Sequence, residues 1–313
     1  MIKDSIFNIY FNIPTNLEDK FLDKNNYEEV DVIIPIINTN ELFERNLFSF
    51  YKEIPIKNLL IGNGGCTDES LTVLEKFPRV KIFDHSKMYS QGGSIIDLIK
   101  NASTENFIYL HADAFLPEGW FDKMKSKLEF YDWFECPQKL TTMIEFWNVK
   151  SERSYSGAQM GNRLFFDKII PIIQDDFLQR NEDIVLAELV ESNGGKYGKN
   201  EDTFHYHQVM NRRGESEPKF SKVIIEKFND LDWEKRIYTM QYKGIVKYLN
   251  PNKKYLIDEV NNSLIHLNEN NALNINEAKL WISQTNPLWI PFIKFKRSLL
   301  QRLIIKVKIY LSK

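Results

Sequence analysis

The stretch VDVIIPII, residues 30–37, decides the fold. Its residues are almost all apolar and mostly β-branched, which is typical of a strand buried on both faces of a sheet. Three further apolar runs follow at 59–61, 80–83 and 107–110, with apolar residues at helical spacing between them. Strands that alternate with helices predict an α/β fold in which a mostly parallel sheet has helices on both faces.

Polar and glycine residues gather where three of these strands end. In such sheets ligands bind beyond the carboxyl ends of the strands, which here selects 35–38, 63–68 and 111–113. Gly64 and Gly65 would let the backbone approach a ligand. The same segment also fits a tight turn that caps the next helix through Thr67 or Asp68, and the local pattern leaves both interpretations open.

Acidic and histidine residues supply the candidate chemistry. Asp113, at the mouth of the fourth strand, would suit Mg²⁺ or Mn²⁺ through its oxygen atoms, or it could cap the following helix. Glu182 and Asp183 precede an apolar helical pattern, where they could complement the helix dipole or provide a general base. His205 and His207 alternate, so an extended segment would put both on one face.

Taken in order, five segments resemble the family 2 glycosyltransferases of the GT-A fold, over roughly residues 30–210. The segments are VDVIIPII (30–37), NLLIGNGGCTDES (58–70), NFIYLHADAFLPEGW (106–120), RNEDIVLAELVESNGGKYG (180–198) and DTFHYH (202–207). The resemblance implies a Rossmann-like, mostly parallel central sheet flanked by helices. It also implies a hexosyltransferase that moves a sugar from a nucleotide-diphospho-sugar donor to a glycan or lipid-linked hydroxyl, with inversion at the anomeric carbon.

The resemblance assigns roles to individual residues. Asp183 would be the catalytic carboxylate and Glu182 its partner in the pair, while Asp113, with His207 or His205, would hold Mn²⁺ or Mg²⁺. The implied nucleotide-binding residues are Pro35, Asn38, Asn63, Gly65, Asp68, His111, Ala112 and Asp113.

The chain departs from the family pattern at two places. Asn63 and Gly64 replace the two leading aspartates of the nucleotide segment, so the base that is read stays open. His111 replaces the first Asp of the DXD motif, which leaves open a reduced metal dependence. These departures keep a second hypothesis, a degenerate non-catalytic GT-A subunit that binds nucleotide-sugar or glycan. A third, a nucleotidyltransferase, would need a glycine-rich basic loop after the first strand, and residues 37–40 do not provide one.

The charge of the chain is unevenly distributed. The formal net charge is −2, but residues 278–313 hold eight Lys+Arg and no acidic residue, which leaves residues 1–277 at −10. Apolar residues at helical spacing accompany these positive charges, so residues 287–313 could lie on an anionic membrane, or pack on the catalytic domain with a solvated basic face.

Composition and the residues that mark turns and linkers give the remaining expectations. We expect an unassigned N-terminal segment (1–29), a GT-A domain (30–215) and a mainly helical C-terminal region (216–313), with a linker at 212–218. Two cysteines, no signal peptide and no bilayer-length apolar run favour a cytoplasmic protein, at the cytoplasmic face of the membrane if the tail binds lipid. The near-neutral total argues against nucleic acid as a partner.

Overall fold

The computed structural model describes most of residues 30–215 and part of residues 216–313. The described residues are 29–39, 42–88, 91–141, 157–172, 182–208, 245–247, 250–269, 273–294 and 298–311. The N-terminal segment before residue 29 and the linker expected at 212–218 lie outside them.

The strands form two sheets. In chain order they are β1 (Val30–Ile36), β2 (Ile56–Asn63), β3 (Val80–Asp84), β4 (Asn106–Leu110), β5 (Ala114–Phe115), β6 (Trp133–Glu135), β7 (Gln138–Thr141), β8 (Ala158–Asn162), β9 (Tyr197–Lys199) and β10 (His205–Gln208). The larger sheet has the order β3-β2-β1-β4-β8-β6-β9. Strands β3, β2, β1 and β4 are parallel, β8 is antiparallel to both β4 and β6, and β9 is parallel to β6. The predicted mostly parallel sheet is therefore confirmed.

Helices cover both faces of this sheet. They are α1 (Phe43–Glu53), α2 (Ser70–Leu74), α3 (Gln91–Asn101), α4 (Trp120–Lys125), α5 (Arg163–Ile169), α6 (Glu182–Ser192), α7 (Lys254–Glu269), α8 (Ile275–Thr285) and α9 (Leu299–Leu311), with 3₁₀ helices at Ile170–Ile172 and Pro287–Phe292. Ile33 of β1 packs in the cluster that contains α3 and α6, and its neighbour Ile34 packs in the cluster that contains α1. This is why β1 is apolar at successive positions: each of its faces meets a helix layer.

The smaller sheet has the order β5-β10-β7. Strand β10 is antiparallel to β5, with His207 opposite Ala114, and parallel to β7. The β5–β10 pairing carries a segment from late in the chain to the end of β4, and it puts His207 beside the residue that follows Asp113.

Helices α7 and α8 and the 3₁₀ helix Pro287–Phe292 pack in one core cluster with helix α6. Leu256, Ile282 and Trp289 are fully buried and share a core cluster with Val185 of α6. Lys253 Nζ also pairs with Glu191 Oε2 of α6 at 2.9 Å. The described part of the C-terminal region is thus helical, as expected. Among the described residues, no helix is both long enough and apolar enough to cross a bilayer.

Candidate active site

The segment after β2 is a rigid turn at the carboxyl edge of the sheet. Asn63 Oδ1 accepts hydrogen bonds from the backbone N–H groups of Gly65 and Cys66 at 3.0 and 2.9 Å. Asp68 Oδ1 accepts from Ser70 N at 3.0 Å at the start of α2, and its Oδ2 accepts from Thr39 N at 3.0 Å. The turn interpretation is therefore observed, and the turn lies at the edge where the nucleotide was predicted.

The end of β1 is tied to this turn. Asn38 has φ +45° and accepts from Thr67 N at 2.8 Å through its side-chain oxygen. Pro35 lies opposite Gly62 in the β1–β2 pairing. Gly65, with φ +99°, lies beside Ser86 of the segment after β3. The predicted residues Pro35, Asn38, Asn63, Gly65 and Asp68 thus lie at the carboxyl ends of β1 and β2 or in the segments that follow them.

Three side chains converge beyond β4. His111, Asp113 and His207 each offer one ligand atom, and these atoms lie within 4.8 Å of one another, close enough to hold one metal ion. His207 Nε2 is 3.4 Å from Asp113 Oδ2, and His111 Nδ1 is 4.0 Å from Asp113 Oδ1. All three are only partly buried, so the group is accessible to solvent.

A glycine leaves room for the two imidazoles of this group. Gly157 has φ +94°, and a Cβ atom there would lie 2.8 Å from His207 Nδ1 and 3.2 Å from His111 Nδ1. Its carbonyl accepts from the backbone N–H of His111 at 2.9 Å. Both the backbone conformation and the close approach of the rings require glycine at this position.

The acidic pair at the start of α6 lies next to His111, Asp113 and His207, which form the candidate metal-binding group. Glu182 is buried, and its Oε1 accepts hydrogen bonds from Tyr109 OH and Gln91 Nε2, both at 3.0 Å. The same oxygen is 3.6 Å from His111 Nε2. Asp183 is less enclosed than Glu182. The arrangement fixes Glu182 and leaves Asp183 as the more accessible of the two carboxylates.

These groups shift one another's ionisation. Burial, followed by the charges of Glu182 and Glu135, raises the pKa of Asp183 to about 8. Burial also opposes ionisation of Glu182, but the nearby imidazole of His111 and the hydrogen bond from Tyr109 outweigh it and lower the pKa of Glu182. Burial likewise disfavours protonation of His111, yet Glu182 and Asp113 raise its pKa. Burial lowers the pKa of His207. A cluster of shifted pKa values of this kind is typical of a functional site.

The two remaining predicted residues face other partners. His205 is fully buried and its Nδ1 contacts Cys136 Sγ at 3.4 Å, while its ring packs edge to face on His207 at 5.8 Å. The two histidines share one side of β10, as predicted, and it is His207 that joins the metal-binding group. Ala112 contributes its carbonyl, which accepts from Asn46 Nδ2 of α1 at 2.8 Å.

Four residues of the site were not predicted from the sequence: Gln91, Tyr109, Glu135 and Gly157. Tyr109 lies two residues before His111, so strand alternation could have placed it on the same face. Glu135 is a buried acid within the apolar run of β6, which is itself an unusual pattern. It accepts hydrogen bonds from Tyr197 OH and from Gln159 Nε2. No local pattern marks Gln91.

Comparison with known proteins agrees with this fold. Residues 31–184 match the family described as glycosyl transferase family 2. The structure of S. aureus TarS 1-349 is similar with a TM-score of 0.51 and 12% identity, covering 85% of this chain and 83% of that chain. The structure of S. aureus TarS 1-349 in complex with UDP is similar with a TM-score of 0.51 and 13% identity, again covering 85% of this chain and 83% of that chain. Bifunctional IspDF from Campylobacter jejuni is less similar, with a TM-score of 0.39 and 12% identity over 56% of this chain and 50% of that chain.

No curated protein sequence matches the chain. At their low identities the TarS structures show a shared fold, and the family match covers the segment from β1 to the Glu182–Asp183 pair. Residues 31–184 are therefore a family 2 glycosyltransferase domain with the GT-A fold.

Proposed function

We propose that this glycosyltransferase transfers a sugar from a nucleotide-diphospho-sugar to a hydroxyl of a glycan or lipid-linked acceptor, with metal assistance and inversion at the anomeric carbon. One observation carries the proposal: the metal-binding group and the Glu182–Asp183 pair meet, with His111 Nε2 3.6 Å from Glu182 Oε1. A cation beside a base is what departure of a diphosphate and attack by a hydroxyl require. The UDP bound to the similar TarS structure supports a nucleotide donor.

Proton removal at the acceptor hydroxyl and departure of the diphosphate involve different residues of the chain. Asp183 takes the proton of the acceptor hydroxyl as that oxygen attacks the anomeric carbon from the face opposite the diphosphate. The bond from the anomeric carbon to the diphosphate oxygen breaks, and the nucleoside diphosphate leaves with that electron pair. A carboxyl with a pKa of about 8 is matched to proton transfer near neutral pH.

The residues present fit a divalent cation. Two imidazoles and a carboxylate are common metal ligands, and their partial exposure leaves positions for diphosphate oxygens. His111, Asp113 and His207 would hold the ion, Mn²⁺ or Mg²⁺ in the family pattern. A bound divalent ion offsets negative charge on the diphosphate.

The test compares Asp183→Asn with the unaltered chain on a panel of nucleotide-sugars with Mn²⁺ present. Loss of the base should lower the rate of transfer by about 10²–10⁴-fold, while the dissociation constant for the nucleotide stays the same. Asp113→Ala should instead weaken metal-dependent nucleotide binding. Undiminished turnover by Asp183→Asn would remove Asp183 from the mechanism.

We also propose that the C-terminal helix brings the enzyme to the cytoplasmic face of an anionic membrane. Helix α9 carries exposed apolar side chains at Leu299, Leu300, Leu303, Ile304, Val307, Tyr310 and Leu311. At 100° per residue they fall within an arc of about 140°. Basic residues and no acidic ones accompany this arc, which suits a helix lying in an anionic interface.

The segment before α9 is less available to lipid than its sequence indicates. Trp289 is fully buried in the core, and Asn261 binds the backbone of Phe292 and Lys294 at 3.0 and 2.6 Å. Residues 287–294 therefore pack on helix α7 through Trp289, although Leu288 is 67% exposed. The proposed membrane contact is accordingly narrowed from 287–313 to helix α9.

A further inference from the structure

Part of the buried surface of helix α1 is polar. Asn46, Ser49 and Glu53 are all buried, and their spacing of three and then four residues puts them on one face of the helix. Burying such groups costs stability unless each finds a hydrogen-bond partner. What these side chains bind therefore explains why polar residues occupy this face.

All three side chains bind the backbone of the segment between β4 and α4. Asn46 Nδ2 donates to Ala112 O at 2.8 Å, Ser49 Oγ accepts from Leu116 N at 3.1 Å and Glu53 Oε2 accepts from Gly119 N at 2.7 Å. The segment is mostly irregular, since the two-residue strand β5 is its only regular element. Its backbone groups need partners from elsewhere, and helix α1 supplies three of them.

The contact made by Asn46 lies next to Asp113, at the centre of a turn. Ala114 N donates to His111 O at 3.1 Å, which closes a four-residue turn whose central peptide joins Ala112 to Asp113. The central peptide of such a turn can flip, which is the difference between type I and type II turns. Asn46 holds this peptide in one orientation by binding its carbonyl.

The orientation of this peptide bears on where Asp113 lies. A peptide unit is planar, so a fixed Ala112 carbonyl also fixes the N–H and the Cα atom of Asp113. From that Cα atom the carboxylate reaches to 3.4 Å from His207 Nε2. Residues that hold a metal ligand in place affect affinity for the metal without touching it.

We infer that Asn46 is a positioning residue, which acts on cation binding through Asp113 by holding the carbonyl of Ala112. The inference rests on the proposed function, because it takes Asp113 to bind the cation that accompanies the diphosphate. Asn46 lies outside the five segments on which the family resemblance was based. Ser49 and Glu53 bind the same segment farther from Asp113 and have no such role.

The first experiment measures Mn²⁺ binding by the full metal-stripped chain, with free Mn²⁺ followed by electron paramagnetic resonance. Asn46→Leu keeps the size of the side chain but removes the donor, and should raise the dissociation constant for Mn²⁺ by about 10–100-fold. Ser49→Ala removes a buried hydrogen bond to the same segment, at Leu116, and should leave that constant unchanged. Equal constants in wild type and Asn46→Leu, or an equal rise in Ser49→Ala, would overturn the inference.

The second experiment asks whether Asn46 acts through Asp113. In the Asp113→Ala background, Asn46→Leu should cause no further rise in the Mn²⁺ dissociation constant, because the side chain that Asn46 positions is gone. A rise as large as that in the wild-type background would mean that Asn46 acts elsewhere. That result would overturn the inference, and so would Mn²⁺ binding that Asp113→Ala leaves unchanged.

The third experiment observes the hydrogen bond itself by nuclear magnetic resonance of the metal-free chain. Ala112–Asp113 is the one Ala–Asp pair in the sequence, so ¹³C at alanine carbonyls and ¹⁵N at aspartates give one correlated signal. Loss of the donor in Asn46→Leu should move the ¹³C resonance of the Ala112 carbonyl upfield, whereas Ser49→Ala should leave it in place. A resonance that Asn46→Leu does not move would overturn the inference.

The inference and the proposed function fail separately. If Asn46→Leu weakens Mn²⁺ binding through Asp113 but the wild type transfers no sugar from any nucleotide-sugar, the inference stands and the proposed function is wrong. If sugar transfer requires Asp113 but Asn46→Leu binds Mn²⁺ as the wild type does, the proposed function stands and the inference is wrong.

Discussion

At the residue scale, the position that most tightly constrains the site is Gly157. Two separate constraints act at this position. Its φ is positive, and a Cβ atom there would lie only 2.8 Å from His207 Nδ1. Gly194 has a similar φ of +82° but nothing within 4 Å of its Cβ position. Substitutions at the two glycines therefore distinguish the effect of backbone strain from the effect of contact with the imidazoles.

We expect Gly157→Ala and Gly194→Ala each to lower the free energy of unfolding by about 1–2 kcal/mol, the strain of a side chain at positive φ. Only Gly157→Ala should also weaken metal binding, about tenfold or more, because its methyl group displaces a ligand ring. Chemical denaturation and metal titration of both variants check this. Equal metal affinity in the two variants would contradict the crowding argument.

Glu135 makes stability depend on pH in an unusual direction. Burial raises its pKa from 4.5 to about 7, although Tyr197 and Gln159 donate hydrogen bonds to it. Between these values the folded chain holds a proton that the unfolded chain has lost. The folded state therefore loses stability as pH rises through this range.

We expect Glu135→Gln to remove this dependence. The wild-type free energy of unfolding should fall relative to that of Glu135→Gln by about 1.4 kcal/mol per pH unit between pH 5 and 7. Urea denaturation across that range measures the difference. Glu118→Gln, at an exposed carboxylate, should behave as the wild type. A constant difference between wild type and Glu135→Gln would show that Glu135 titrates alike in both states.

At the scale of elements, helix α9 is the one whose exposed face lacks an explanation in the fold. Leu303 and Val307 are 57% and 50% exposed on its apolar arc. Burial of such side chains in lipid is worth about 1.5–3 kcal/mol each. A membrane contact would therefore depend on them strongly.

We expect Leu303→Ser with Val307→Ser to reduce co-sedimentation with phosphatidylglycerol vesicles at least tenfold while sugar transfer to a soluble acceptor is unchanged. Leu280→Ser, at a 60% exposed leucine of helix α8, is the control and should sediment as the wild type. Phosphatidylcholine vesicles should bind more weakly, because the positive tail gains nothing from them. Equal recovery of wild type and double variant in the supernatant would refute the contact.

At the scale of the whole molecule, the C-terminal helices and the catalytic region share one core. Trp289 is fully buried in the cluster that also contains residues of β4, α3 and α6. Glu182 and Asp183 begin helix α6, so the C-terminal region supports the helix that carries them. This link depends on contacts between residues about a hundred positions apart.

We expect Trp289→Ala to lower the free energy of unfolding by about 3–5 kcal/mol, and to do so in the same transition that unfolds the catalytic region. Tryptophan fluorescence and far-ultraviolet circular dichroism, followed together in urea, measure this. Leu299→Ala, at an 81% exposed position, should stay within about 0.5 kcal/mol of the wild type. Two separated transitions would show that the C-terminal helices form a unit of their own.

Sequence patterns predicted four of the seven strands of the larger sheet. The apolar runs at 30–37, 59–61, 80–83 and 107–110 correspond to β1 to β4; in β1, β2 and β4 burial leaves a local and continuous apolar pattern, whereas β3 is largely exposed. The same reasoning located the edge where Asn63 and Asp113 lie. It did not predict the β5–β10 pairing, which joins segments about ninety residues apart and has no local signature.

By itself the sequence determined the α/β class, the positions of the first four strands along the chain and the edge of the sheet that carries the polar residues. These follow from patterns within a few residues of each other. Only the tertiary structure decided that His207 rather than His205 joins His111 and Asp113, that Tyr109 and Gln91 fix Glu182, and that Trp289 is core. The physical reason is that a site depends on side-chain directions brought together by long-range pairing, and such directions are set only when the chain is packed.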